Sequence, residues 1–186
     1  MIFWYTLTNT FDKDYGEGWL KYLEWSKLSH LKELISLDGM LNEELIHPNN
    51  DNEDNYYDYV IFENEFLTCF FTSLSFVLRK ASSLTLERFN LLAVVKEPTE
   101  KCETISVENF EFVGYDLLDQ SNDNSALSNC GGYDETFSPS DLNEFGLINK
   151  YENAYRIKKK LKENNPKEHH ADTNVIAIWR HKTIGR

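Results

Sequence analysis

Cysteine is too scarce and too scattered in this chain for either of its structural roles. Cys69, Cys102 and Cys130 form no Cys-x-x-Cys pair and are odd in number. That argues against a disulfide framework or a zinc knuckle, and for reduced thiols. Long apolar runs are missing too: none approaches the roughly 18 residues that a membrane helix needs. The apolar start, Met1 to Thr8, is short, has no Lys or Arg before it, and is soon followed by Asp12 and Asp14. This is not the pattern of a secretory leader, so a cytoplasmic location and no membrane partner are expected. A phosphate-cradling loop is also lacking, because Gly16-Glu17-Gly18 has neither a third glycine nor a Lys-Ser/Thr ending.

Positive charge is in deficit and unevenly placed. The formal net charge is −12. Residues 1–149 hold 27 acidic and 9 basic side chains, a balance of −18, whereas residues 150–186 hold 4 and 10. An acidic body repels nucleic acid and anionic membranes and attracts a basic protein. The plainer alternative is that the charge serves solubility.

Aromatic side chains are plentiful, with 12 Phe, 10 Tyr and 4 Trp among 186 residues. They carry much of the burial in a core, and a chain of this length buries roughly 70% of the surface exposed when unfolded. One domain spanning 1–186 is expected, with no need of metal or cofactor to fold.

Hydrophobic periodicity sets the expected elements. Ile2 to Leu7 reads as a strand. Leu20, Leu23, Leu28, Leu31, Leu34 and Ile35 share one face of a helix running from Glu17 to about Leu37, which Asp38-Gly39 would stop. Tyr56 to Ile61 reads as a short strand, and Glu65 to Lys80 as a buried helix with a narrow polar face. The continuous apolar runs Leu91–Val95 and Val175–Trp179 suit strands covered on both faces. Phe110 to Leu118 begins with alternation and breaks it at Gly114, the mark of a bulge. A last helix is expected from Asn149, with Glu152 at capping-box spacing and Asn164-Asn165-Pro166 as its stop. The sum is an α+β fold: an antiparallel-rich mixed sheet with about three helices packed on it.

Two groups of residues stand out as candidate sites. The stretch Asp51, Glu53, Asp54, Tyr56, Tyr57, Asp58 and Tyr59 combines carboxylates with tyrosines, which offers apolar contact area together with charge steering toward a basic partner. The catalytic alternative is Cys130, followed by two glycines whose amides can approach a substrate oxygen, with His169 or His170 as base. In the plainer reading, Asn129-Cys130-Gly131-Gly132 is a tight turn. His169 and His170 are adjacent, so they do not form an i, i+4 metal pair, and no further ligands accompany Asp172. Asp119 to Ser125 has calcium-loop spacing in part, but Asn124 occupies the glycine position and Cys130 the bidentate glutamate position. No metal site is expected.

Three segments, Trp25–Asp38, Phe110–Asp119 and Ser125–Gly132, resemble parts of a family of short, largely uncharacterised bacterial proteins. In size, acidity and lack of a catalytic motif the chain is also similar to immunity proteins that neutralise bacterial toxins, a resemblance of type that transfers no residue role. It implies a non-enzymatic binding protein whose partner is basic, such as a cognate toxin of the nuclease kind. The alternative remains a cysteine-dependent hydrolase or transferase using Cys130 with His169 or His170.

Overall fold

The computed structural model describes residues 1–40, 60–61, 70–83, 88–120, 124–128, 136–164 and 166–185. Its centre is an antiparallel sheet of β1 (Trp4–Asn9), β4 (Val60–Ile61), β5 (Phe70–Phe71), β6 (Phe89–Lys96), β7 (Phe110–Asp119) and β8 (Thr173–His181). Their order across the sheet is β4-β5-β1-β6-β8-β7, antiparallel at every pairing. A two-stranded ribbon, β2 (Phe11–Asp12) with β3 (Glu33–Leu34), lies beside it. Helices α1 (Glu17–Ser26), α2 (Leu74–Ser83) and α3 (Tyr151–Asn164) complete an α+β architecture.

Side chains alternate across a strand, so a strand buried on both faces reads as unbroken apolar sequence. In β6, Leu91, Ala93 and Val95 join a core that includes Phe76 and Val77 of α2 and Ala154, Ile157 and Leu161 of α3. Leu92 and Val94 point the other way, into a second core with Ile176 and Ile178 of β8 and with Ile35, Leu37 and Leu147. The register of β7 against β8 shifts between Phe112 and Gly114, as the sequence suggested. Gly114 adopts φ +144°, a conformation that L side chains rarely adopt.

Strand β7 ends the sheet, and its outer edge is occupied by two short segments. Tyr115 and Ile148 exchange backbone hydrogen bonds of 2.8 and 2.9 Å, and Ala126 N–H donates to Leu117 O at 2.8 Å. Bridges Tyr115–Ile148 and Leu118–Ser125 mark these contacts.

Several elements differ from expectation, each for a local reason. Helix α1 stops at Ser26, where Lys27 turns left-handed with φ +61°. Leu28, Leu31, Leu34 and Ile35 are still buried, but from a turn, closed by Leu31 N–H on Leu28 O, and the extended stretch after it, where Lys32 N–H pairs with Glu144 O and Ile35 N–H with Phe145 O. Phe70 and Phe71 belong to a strand, and α2 begins only at Leu74, where Ser73 Oγ accepts from Phe76 N–H at 3.2 Å, a helix cap the sequence reading passed over. The part of that expected helix before Phe70, and most of the expected strand from Tyr56, lie outside the described residues. At the start of α3, Tyr151 N–H donates to Glu103 Oε1 from another element, while Asn149 Oδ1 accepts from Asn143 and Glu152 pairs with Lys101. No helix among the described residues is long and apolar enough to cross a membrane.

Candidate binding cleft

The chain leaves β1 at Asn9, passes through β2 and enters α1, and this turn gathers four aromatic rings. Phe11 meets Tyr15, Trp19 and Tyr22 edge-on, at centroid separations of 4.8, 5.3 and 5.5 Å. Trp25, one turn along α1, lies 5.9 Å from Tyr22. Trp19 is buried beneath the group, whereas Tyr15 and Trp25 remain 62% and 52% exposed. Edge-to-face packing of this kind fixes ring positions.

Of these rings, Phe11, Tyr15 and Tyr22 wall a cleft of about 310 Å³ lined also by Asn9, Thr10, Leu34, Ser36, Asp38 and Ser128. Its polar side is built from two turns. The 3₁₀ turn Leu37–Gly39 presents Asp38, with Ser36 Oγ accepting from Asp38 N–H at 3.2 Å. From the 124–128 segment, Ser125 N–H donates to Asp38 Oδ1 and Ser128 Oγ donates to Asp38 Oδ2. Ser36 Oγ donates to Ser128 Oγ at 3.1 Å, and Tyr22 Oη donates to Ser128 O at 3.2 Å.

The network continues inward. Ser125 Oγ donates to Asp116 Oδ1 at 2.5 Å and accepts from Leu127 N–H, while Leu117 N–H also donates to Asp116 Oδ1 at 2.7 Å. The β7 alternation puts Asp116 on the face of Leu118, opposite Ile176 and within the second core. A chain of polar contacts thus runs from Tyr22 at the surface through Ser128, Asp38 and Ser125 to a carboxyl with no solvent exposure.

That burial governs the chemistry. Asp116 is pushed up to about 7, first by desolvation, with the Ser125 hydrogen bond opposing and the charge of Asp38 adding. Asp38 is also raised: it reaches solvent along the cleft, but its carboxylate is crowded by neighbours, and desolvation outweighs the bonds from Ser128 and Ser125. Aromatic faces beside a carboxylate form the recognition chemistry of an organic cation. Among the described residues no histidine lines the cleft.

The sequence-predicted sites are placed as follows. Asp51, Glu53, Asp54, Tyr56, Tyr57, Asp58 and Tyr59 lie outside the described residues, as does Cys130. His169 and His170 occupy a 3₁₀ turn between α3 and β8 with ring centroids 3.7 Å apart. His170 is buried, and desolvation, reinforced by His169, holds its imidazole below the ordinary value. Asp119 Oδ1, in the segment with partial calcium-loop spacing, accepts from Asn124 N–H. Among the described residues no group of three His, Cys, Asp or Glu side chains is placed to hold a metal ion.

Phe11, Tyr15, Tyr22, Ser36, Asp38, Asp116, Ser125 and Ser128 were not read from sequence as site residues, Tyr22 being placed on a buried helix face, Asp38 at a helix stop and Ser125 in a rejected calcium loop. One signal was available: Asp116 is an ionisable residue inside the otherwise apolar end of a strand, where a buried charge marks a candidate functional position. A second groove, of about 470 Å³, opens at the other end of β1 between Met1, Ile2, Trp4 and residues 95–100. Its Glu97 is engaged by Lys158 and by Val175 N–H, which ties it to α3 and β8. Comparison of the chain with protein-family models, with curated proteins and with solved structures gave no match.

Proposed function

We propose that this chain is a non-enzymatic binding protein that docks a basic protein partner, in the manner of an immunity protein that neutralises a cationic toxin such as a nuclease. One observation carries the reading. Exposed Tyr15 lines a cleft together with Asp38, and exposed Trp25 packs beside Tyr22 of the cleft wall, on a chain whose net charge is −12. Tyr and Trp are the residues that concentrate energy in protein interfaces. The surrounding negative potential steers a basic partner toward them and raises the rate of encounter.

Capture experiments from the native host test this at low and moderate salt, comparing the unaltered protein with Trp25→Ala and Asp38→Asn. A basic protein retained by the unaltered chain, released by added salt and weakened by both substitutions is the expected result. Recovery of no partner at either salt concentration removes the proposal. Recovery indifferent to both substitutions moves the contact away from the cleft.

A further inference from the structure

We infer that the cleft takes one organic cation, an alkylammonium or guanidinium group of the kind lysine and arginine carry, and that its entry expels a proton from the buried carboxyl of Asp116. This rests on the binding reading above and deepens it, by naming the chemistry of contact and how acidity controls it.

Shape and chemistry supply the first part. The cleft's volume of about 310 Å³ leaves room for one such head group with part of its stem. Phe11, Tyr15 and Tyr22 supply ring faces and edges, and Asp38 supplies a negative charge held in place by Ser125 and Ser128. A cation over aromatic faces gains most where water is partly displaced, as it is in a concave site.

Wiring supplies the second part. A single residue, Ser125, joins the two carboxyl groups: its amide N–H donates to Asp38 and its hydroxyl donates to Asp116. Asp116 is fully buried, and its Oδ2 has no hydrogen bond of normal geometry among the described residues, while the Ser125 hydroxyl and the Leu117 and Leu37 amides favour its charge. The groups facing it are Asp38 and the Leu37 N–H from the 37–39 turn, Ser125 from the 124–128 segment, and apolar Ile176 from β8. Asp119 lies further along β7 and acts on Asp38, and beyond it His170 feels Asp119 from the turn before β8.

Burial first, and the charge of Asp38 after it, disfavour ionisation of Asp116, so below neutrality the proton resides on this buried carboxyl. A cation seated at Asp38 offsets the field that Asp38 exerts on Asp116, so the buried carboxyl ionises more readily than in the free protein. The Asp116 O–H bond then releases its proton to buffer, and the two carboxylates share the field of one cation together with the hydrogen bonds from Ser125, Leu117 and Leu37. Binding therefore tightens as pH rises through the range in which free Asp116 keeps its proton, by at most about tenfold per pH unit for one proton.

Calorimetric titration with acetyl-arginine methylamide and acetyl-lysine methylamide tests this, with acetyl-norleucine methylamide as the uncharged control. Titrations are run between about pH 6 and about pH 8 in buffers of differing ionisation enthalpy. Saturable binding of the cations alone is expected, several-fold tighter at the higher pH, with buffer-dependent heat that reports proton release. Asp38→Asn should weaken binding tenfold or more. Asp116→Asn should keep binding and lose both pH dependence and buffer heat. Ser125→Ala, which cuts the link between the carboxyls, should blunt both and serves should the Asp116 variant fail to fold. Cation binding with no pH dependence and no buffer heat overturns the proton link. Failure of both cations to bind, in a protein that still captures a basic partner, overturns the cation site while the binding reading stands.

Discussion

Arg180 Nη1 donates to Glu33 Oε2 at 2.7 Å, tying β8 in the main sheet to β3 in the ribbon that carries the cleft wall. The guanidinium also reaches Glu111 through Nε and Nη2 and stacks over Phe145 at 4.6 Å, while Asn90 Nδ2 donates to Glu33 Oε1. Both partners are largely buried, with side-chain exposures of 9% and 14%. Removing one partner of such a pair strands the other, at about 3–5 kcal/mol. Arg180→Met should therefore cost about 3 kcal/mol in urea denaturation. The double variant Glu33→Gln/Arg180→Met should cost less than the sum of the single changes. Strict additivity would show that the pair is not coupled.

Asp116 makes stability depend on pH with a defined sign. Its folded value, pushed up to about 7, lies above the ordinary carboxylate value, so the folded form retains a proton that the unfolded chain has lost. Stability contributed by that proton is present at acid pH and is lost as pH rises toward neutrality. Asn at this position keeps an acceptor for Ser125 and Leu117 but cannot ionise. Between about pH 5 and about pH 8 the difference in unfolding free energy should move by about 2–3 kcal/mol in favour of Asp116→Asn. Parallel stability curves would contradict this.

Gly114 admits no side chain. A Cβ there would stand 2.6 Å from Leu147 Cβ and 3.1 Å from Ile148 O, on a backbone at φ +144°. Gly114→Ala combines overpacking with backbone strain, and a loss of about 2–4 kcal/mol is expected. Thermal unfolding reads it, and a variant as stable as the parent would mean that the bulge is not needed.

Cys102 is fully buried, and burial pushes its thiol up to about 11, with the Tyr115 hydrogen bond opposing. It should resist iodoacetamide near neutral pH in the folded protein and label readily once denatured. Mapping the label also reads Cys69 and Cys130 in the same sample. Fast, selective labelling of Cys130 would favour the cysteine-enzyme alternative over the binding reading.

The strands were legible where apolar sequence was continuous or visibly interrupted. Leu91–Val95 and Val175–Trp179 could hardly satisfy anything but a sheet covered on both faces, and Gly114 announced its bulge. Helical spacing misled between Leu28 and Ile35, because burial alone does not distinguish a helix face from an extended segment whose amides pair with residues 144 and 145. Phe70 and Phe71 misled similarly: their spacing fits both periods, and Ser73 sets where the helix starts. The cleft was hidden because its parts are far apart in sequence. Asp38 looked like a helix stop, and Ser125 like the end of a failed calcium loop. Only the pairing of β7 with the 124–128 segment brings Ser125 against Asp116, and so to Asp38.

The two short segments lying along β7 also bear on how the protein fails. A terminal strand of ten residues with bare amides and carbonyls is a template onto which another molecule can add a strand. Here Ile148 and Ala126 occupy parts of that backbone. Substitutions that dislodge residues 124–128 or 142–149 would expose a sticky seam on an otherwise native particle. Concentration-dependent oligomers, seen by light scattering before any loss of helical signal, are the failure this arrangement normally forestalls.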